Sequence, residues 1–525
     1  MLTAKIGALT LRPHHALNAV SLPRNIVSNA AGFLVSAAIA FVMAPFLIRT
    51  LGHARYGAWA VIGELTGYYG LLDLGIRGAV TILGARYLAQ GQNDRVRELI
   101  SSAFWFLGAI AAAGFTAMLV GVLVWRPSQF SSISPEEFLP ALIVIAFLVA
   151  ASLPLDVFAG VLNSARRIDI PNALELAGRV VSALGVWFVV LSGGGLIGMS
   201  TVLLVVKLGV WLACVYMAVR LVNGISLSPA WARKDRLREL ASFGSKTALM
   251  NTARVVTDRT DLIIIGLLFG VRTVVFYSIA RLLIEYTVSM IGSVTLAFTA
   301  HFAHLYAGAE HEELCRLLSA GTRVCACLSL IAVAFLLSFG RTFIGLWVGP
   351  EFVTGPWTMR TDVILAVLLA GFTPRLAQSL AWQVILASQR INGVTVAIAA
   401  ESIAKVGLLL GIRSAYGLVG IAITSVVPML VTALIVVPRH VLRISGLSPL
   451  QYLRCFERAV ILGVAVFSVG ELVSLIWPPT SWTVLVVDLS LTGIVAVIGF
   501  VGVGLTDDER RRVWTLWRTA SMTFA

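Results

Sequence analysis

From Asn25 to Leu505 the chain repeats one pattern, an apolar run of roughly 20 residues or more, closed by a short polar break and followed by the next run. The runs predict helices at 25–50, 57–89, 97–125, 136–164, 171–192, 196–221, 241–269, 273–306, 312–338, 360–388, 391–411, 416–440, 456–477 and 481–505, about fourteen spans in all. Strands of a membrane barrel would alternate apolar and polar residues over about ten positions, and no other backbone satisfies its polar groups in lipid. The least marked divisions lie at Gly193–Gly195, Ser388–Asn392 and Arg413–Gly417. Two helices, 57–89 and 273–306, are too long for a straight crossing and are expected to tilt, bend or project, with Gly70, Gly75 and Gly78 as bending points in the first.

Composition fixes the solvent. Hydrophobic residues make up 58% of the 525 residues and charged ones 13%, with a mean hydropathy of +0.91, whereas a soluble domain carries about 25% charged residues. The chain therefore reads as an all-α polytopic membrane protein. The formal charge of +14 is not spread evenly. Arg12 and Arg24, then Arg86, Arg95 and Arg97, Arg166 and Arg167, Arg233 to Arg238, Arg390, Arg439 to Arg458, and the tail from Arg510 all fall in loops on one side. Only isolated basic residues, such as Arg49, Arg55, Arg126, Arg272, Arg341, Arg360 and Arg413, fall on the other. By the positive-inside rule both termini are cytoplasmic, and Trp125, Trp347, Trp357, Trp477 and Trp482 are expected at the outer boundary. The basic excess then marks orientation and anionic lipid contact, and nucleic acid is excluded as a partner. The stretch before Asn25 lacks a cleavage-site pattern, so no cleaved signal peptide is expected. Five scattered cysteines, with no CxxC, give no metal site.

An internal repeat organises the helices. VLNSARRID (161–169), Glu175 with Arg179, and GLIG (195–198) recur as VILASQRIN (384–392), Glu401 with Lys405, and GLVG (417–420), at an offset of about 222–226 residues. ARYLAQGQNDRVREL (85–99) and HLYAGAEHEELCRL (304–317) are similarly related. An even number of helices per copy gives both copies one orientation, so two six-helix lobes, 1–221 and 241–440, are expected about a two-fold axis along the membrane normal. Residues 222–240, containing the basic WARKDRLREL, would form an amphipathic cytoplasmic linker. Helices in 456–505 are additional, and 506–525 is a cytoplasmic tail.

The segments NIVSNAAGF, APFLIRTLGHARYGAWA and LLDLGIRGAV within 25–80, together with GRTFIGLWVGPEFVTGPW (340–357), carry a family resemblance. With the repeat, they resemble the Wzx-type oligosaccharide flippases of the polysaccharide transporter family, in the superfamily of the MATE exporters and lipid II flippases. The resemblance implies a bacterial inner-membrane protein that turns undecaprenyl-diphosphate-linked oligosaccharide from the inner to the outer leaflet, with membrane lipids and glycan-assembly proteins as partners. A MATE-type cation-coupled multidrug exporter and a lipid II flippase are the alternatives. No catalytic constellation accompanies it: the seven His residues sit at termini and loop ends. Neither enzymatic activity nor a cofactor is expected.

A diphosphate headgroup needs donors and cations kept off lipid, which focuses attention on charges inside the spans. At about 100° per residue, Lys246, Asn251, Arg254, Asp258 and Asp261 fall within roughly 140° of one another, while Arg259 points elsewhere. That face predicts a cavity wall engaging phosphate through Lys246 and Arg254, against the alternative that Arg254 and Asp258 only neutralise each other. Arg24, Asn25 and Asn29 at one helix start, and Ser245 with Lys246 at another, would add donors at an inward mouth. Four local pairs, Asp73 with Arg77, Glu175 with Arg179, Arg281 with Glu285 and Glu401 with Lys405, are expected to satisfy themselves, and Asp73 with Arg77 would otherwise line the cavity. Glu64 has no local partner and is a candidate ion site.

Overall fold

A computed structural model describes residues 15–69, 73–124, 133–222, 225, 227–295, 298–308, 310–388, 392–412, 416–507 and 509–511; side chains are described from Gly32 onward, with gaps that include 243–251. Seventeen α-helices occupy nearly all of this: α1 His15–Tyr69, α2 Ile76–Ala89, α3 Asn93–Val124, α4 Pro135–Ser164, α5 Asp169–Leu191, α6 Gly195–Leu221, α7 Lys234–Phe269, α8 Val271–Thr295, α9 Thr299–Ala307, α10 His311–Trp347, α11 Thr361–Ala377, α12 Ser379–Ala387, α13 Asn392–Ile412, α14 Gly417–Val431, α15 Val437–Ser445, α16 Pro449–Ile476 and α17 Trp482–Gly499. Among the described residues there is no β-strand. Short π-helical turns, Thr432–Val436 and Phe500–Gly504, follow α14 and α17.

Eleven of these helices are long and apolar enough to cross a membrane, or twelve if the bent pair α11–α12 is one span. The expected fourteen exceeds this at two places. Helix α1 counts once because its two legs meet at Gly52 (φ 78°, ψ 169°) with no loop between them. Helix α7 falls short in apolarity because Lys234, Arg254, Asp258, Arg259 and Asp261 lie along it. The long run 57–89 breaks at Leu74 (φ 49°) and Gly75 (φ 72°), which starts α2. The expected bend at Gly75 is therefore present, Gly78 lies within α2, and Gly70 is outside the described residues.

The repeat is visible in backbone angles. Gly52 and Gly270 both turn the chain with φ near 80° and ψ of 169° and 157°, so the two legs of α1 correspond to α7 and α8. Gly195 and Gly417, from GLIG and GLVG, have φ of 53° and 55° at the starts of α6 and α14. These left-handed conformations are open to glycine at little steric cost.

The linker reading is corrected. Helix α7 begins at Lys234, so the second part of WARKDRLREL is the first turns of α7 and not a separate element. Side chains pin it. Arg233 and Arg236 contact Glu98 of α3 at 3.1 and 3.0 Å, and Tyr87 of α2 donates to Glu239 at 2.6 Å. Trp347 is likewise not at a lipid boundary. It is 4% exposed, and its indole donates to the Phe41 carbonyl at 2.8 Å. Trp357 and Trp477 are exposed, and Trp125 lies outside the described residues.

Contacts group residues at the two ends of the bundle. At one end Arg55 meets Glu137 at 2.9 Å, Glu137 accepts from the Leu196 amide, and His53 lies 3.7 Å from Glu351. At the other, Trp105 donates to the Leu227 carbonyl, Cys315 to the Ser445 carbonyl, and Arg323 to Glu509. Packed apolar residues of α1, α4, α6, α7, α8, α10, α11 and α14 form one continuous core, while α5, α16 and α17 turn residues such as Phe188, Leu475 and Ile498 outward. Exposed apolar side chains of this size along whole helices suit a hydrocarbon surround.

Candidate functional site

Several helices converge on a cavity of about 310 Å³ bounded by α7, α8, α11, α12, α13 and the chain from α14 to α15. Its charged lining is Arg254 and Asp258 from α7, Arg375 from α11 and Glu401 from α13, with Trp382 of α12 on the same wall. Local sequence shapes the wall. Pro374 removes a backbone donor near the end of α11, α12 leaves at 48°, and Gln378 at the break donates to the Pro374 carbonyl at 3.1 Å and to the Ala433 carbonyl of the π turn at 2.8 Å. Tyr452 of α16 closes the set by donating to Gln378 at 3.0 Å. Gln378 also lines a second, apolar groove of about 330 Å³, with Pro374, Leu434, Leu442, Tyr452 and Phe456. Gln378 is thus common to the linings of a charged cavity and an apolar one.

The charges in the cavity are paired loosely. Arg254 Nε lies 3.5 Å from Asp258 Oδ2, and Arg375 Nη1 lies 3.6 Å from Glu401 Oε1. Arg254 is the most exposed of the four at 57%, and Glu401 the least at 2%. Neither Arg375 Nη1 nor Glu401 Oε1 has a hydrogen-bond partner within the protein. Arg254 and Asp258 both line the cavity and face each other. Asp261 does not join them. It is 2% exposed, 2.7 Å from Lys405 Nζ, and accepts hydrogen bonds from Tyr277 at 2.7 Å and Ser425 at 3.1 Å; Lys405 also donates to the Thr257 carbonyl.

Most of the expected local pairs are replaced by partners on other helices. Arg281 and Glu285 do pair, at 3.2 Å. Asp73 accepts the Arg77 backbone amide at 3.2 Å and so caps α2, while the Arg77 guanidinium turns to Asp156 of α4 at 3.4 Å. Glu175 takes Lys207 of α6 at 2.6 Å, and Arg179 donates to Ser36 of α1 at 3.1 Å. Glu401 and Lys405 diverge to Arg375 and Asp261. Glu64 has a partner after all: Arg259 of α7, 3.1 Å away. That pair joins the second leg of α1 to α7, and Tyr68 and Thr260 bond beside it at 2.5 Å. Arg24, Asn25, Asn29, Lys246 and Asn251 have side chains outside those described.

Arg375 and Trp382 escaped the sequence reading. The available signal was a single cation beside a proline within an apolar span, 374–375, the kind of residue that rarely stands in a membrane without a task. Among the described residues no three His, Cys, Asp or Glu side chains gather as a metal set.

Comparison with known proteins adds relatives to this geometry. A family described as "Polysaccharide biosynthesis protein" matches residues 46–354. A protein of Shigella flexneri named "Putative O-antigen transporter" is 21% identical over 422 residues, covering 79% of this chain and 97% of that protein. The "Uncharacterized membrane protein EpsK" of Bacillus subtilis is 21% identical over 518 residues, covering 94% and 97%. Among solved structures, the lipid II flippase MurJ in an inward closed conformation superposes with a TM-score of 0.69 at 9% identity, over 90% of this chain and 98% of that one. An inward-facing multidrug resistance transporter of the MATE family, in the MOP superfamily, gives 0.64 at 14% identity, over 79% and 98%. At these identities the structures share the fold with this chain.

Proposed function

Because the chain belongs to the polysaccharide biosynthesis protein family of Wzx-type membrane flippases, we propose that its cargo is an undecaprenyl-diphosphate-linked oligosaccharide, carried from the inner to the outer leaflet of a bacterial inner membrane. The observation that carries this reading is a charged cavity that shares Gln378 with an apolar groove. An amphiphile with a polar head and a prenyl tail needs both surfaces at once, and neither can be supplied by lipid for the head or by water for the tail.

Transport proceeds by alternating access of two lobes, 1–221 and 241–440. Cross-contacts between them support a state closed at the end that carries Arg55, Glu137 and Glu351: Val61 against Gly266, Glu64 with Arg259, and the Phe41 ring stacked 5.7 Å from Trp347. In this reading that end is external, both termini are cytoplasmic, and Arg24, Asn25, Asn29 and Lys246 lie at the open mouth. Arg254, as the exposed member of the cavity, with Asp258 beside it, meets the phosphates, and Asn251 is assigned to the same task from its position in the sequence, while Asp73 and Arg77 belong to the opposite wall. No chemical step is involved, and glycan-assembly proteins deliver and receive the cargo.

Native mass spectrometry of the protein purified from its own membranes tests this. The expected adduct is a prenyl diphosphate bearing sugars. A drug-like adduct with no prenyl carrier would support the multidrug alternative, and adducts of ordinary phospholipid alone would overturn the carrier reading.

A further inference from the structure

The second lobe is divided across its length. With the orientation proposed above, its outer half belongs to the continuous core that also fills the first lobe, which ends at Leu376 on α11 and Met429 on α14. A separate inner core starts at Leu380 on α12 and Val437 on α15 and takes in Phe302 of α9. The boundary between the two coincides with the break at Gln378 and with the π turn Thr432–Val436. Beyond it α9, α12 and α15 have nine residues each. Side chains tie this inner piece together: Thr299 donates to Gln383 at 2.7 Å, and Cys315 of α10 donates to the Ser445 carbonyl at 3.0 Å. Helices α7, α10 and α13 cross the level unbroken and keep the halves attached. The first lobe is built differently. Its counterparts by the repeat, α4 and α6, each run through as one helix, α4 in spite of Pro154 within it. On α4 the outer core ends at Val149 and the inner one begins at Ala150.

Proline chemistry explains both breaks. At the π turn the Val437 amide bonds back five residues to the Thr432 carbonyl. The next donor in that register would be residue 438, a proline without an N–H, so the register offers the Ala433 carbonyl no backbone donor. At the end of α11 the Gln378 amide bonds the Leu376 carbonyl and not the Pro374 carbonyl four residues back. Carbonyls left unpaired in an apolar bundle are costly, and lipid cannot relieve them. The side-chain amide of Gln378 donates to both, and its oxygen accepts from Tyr452. One side chain at the boundary thus repairs two helices.

We infer that the inner half of the second lobe swings as a unit at this level, with Gln378 as the positioning residue that keeps the two broken helices in register while they bend. Breaks lying side by side define an axis, and the unbroken α4 and α6 give the first lobe none. The inference rests on alternating access as proposed above and goes beyond it: the inner mouth opens by a bend within one lobe in addition to movement between lobes. A nine-residue helix is about 14 Å long, so relaxing half of the 48° bend moves its far end by about 5–6 Å.

Electron paramagnetic resonance distances in the full-length protein test this, in nanodiscs with and without added undecaprenyl diphosphate and in a background lacking the five native cysteines. Spin labels at Ile423 and His304 report the bend in the second lobe. Labels at Thr201 and Ile82, exposed positions 222 residues earlier, report the first lobe, and labels at Ile82 and His304 report the inner mouth. In the parent the Ile423–His304 distance should spread over about 5 Å, and the Thr201–Ile82 distance should be single and narrow. Gln378→Leu, which removes both repairs, should about double the Ile423–His304 width and leave Thr201–Ile82 unchanged. Tyr452→Phe leaves both carbonyls bonded and should keep the parent width. If Gln378→Leu folds poorly, hydrogen exchange in the parent decides: amides in 376–382 and 434–440 should exchange about tenfold faster than those in 154–160 and 212–218. A single narrow distance within each lobe while the Ile82–His304 distance varies would show rigid lobes, overturning the hinge and leaving the carrier reading in place. An unchanged width in well-folded Gln378→Leu, or equal exchange in the two lobes, overturns the hinge as well. A bend seen in a protein that undecaprenyl diphosphate neither binds nor shifts supports the hinge and counts against the carrier reading alone.

Discussion

The ammonium of Lys405 on α13 lies 2.7 Å from the carboxylate of Asp261 on α7, and both side chains are 2% exposed. Removing one partner strands the other charge in a dry interior, a cost of about 3–5 kcal/mol. Lys405→Ala or Asp261→Asn should each lower thermal stability in detergent and reduce abundance in the membrane, and Asp261→Leu with Lys405→Met together should recover much of both. Exchanging Glu401 and Lys405 should not rescue, because it sets a lysine against Arg375 and a glutamate against Asp261. A stable exchanged variant would contradict the pairing.

Val61 and Gly266 give a way to hold the lobes together. A Cβ on Gly266 would lie 3.2 Å from Val61 Cγ2, so the two side-chain positions adjoin across the lobes. In a background lacking the five native cysteines, Val61→Cys with Gly266→Cys should cross-link on oxidation. Glycan export should stop and return on reduction. Export that continues in the fully cross-linked protein would mean that this contact persists throughout the cycle.

Acid should loosen the start of α7. Burial pushes the Glu239 carboxyl up, but hydrogen bonds from Tyr87 and Arg236 outweigh it and hold it below the usual glutamate range. A lowered folded pKa stabilises fully above the unfolded value of about 4.3, and the contribution is lost as pH falls through the folded value. Hydrogen exchange across 229–240, corrected for intrinsic rates, should therefore quicken below about pH 4, and Glu239→Gln should abolish that acid dependence. Equal profiles in parent and variant would refute it.

Orientation is open to direct measurement. Reporters fused after Ala525 and within 222–228 should read cytoplasmic, and one inserted near Gly355 should read external. An external C-terminus would require an odd number of crossings between those points and a redrawn pair of lobes.

Much of the architecture was legible because helix boundaries here are local. Pro135 opens α4 one residue before the expected start at 136, and the repeated GLIG and GLVG put the starts of α6 and α14 within a residue of those expected. The Ser448 capping box, by contrast, starts α16 seven residues before the expected 456. The Gly52 kink looks like a loop in the sequence, since a glycine that turns a helix without unpairing much backbone resembles any break. Charge partners were mostly misread for a different reason. An i, i+4 spacing makes a pair possible, yet Arg77, Glu175, Glu401 and Lys405 each found a partner on another helix. Which helix stands alongside is a tertiary fact, and the residues that answer it, Asp156, Lys207, Arg375 and Asp261, lie tens of positions or more away. The cavity face of α7 was legible through Arg254 and Asp258, while Trp382 and Arg375 were not, because a bent pair of short helices brings them in.

The cancelled charges around the cavity bear on voltage. The two guanidinium and two carboxylate groups that line the cavity together carry no net charge through the membrane field when the empty protein changes conformation. Return of the empty carrier should then proceed at the same rate in polarised and depolarised vesicles. On the proposed carrier function the field acts instead on the cargo: an anion leaving an inside-negative compartment gains about 2.3 kcal/mol per charge for each 100 mV crossed. A diphosphate would thus lend its own charge as the electrical handle on its export.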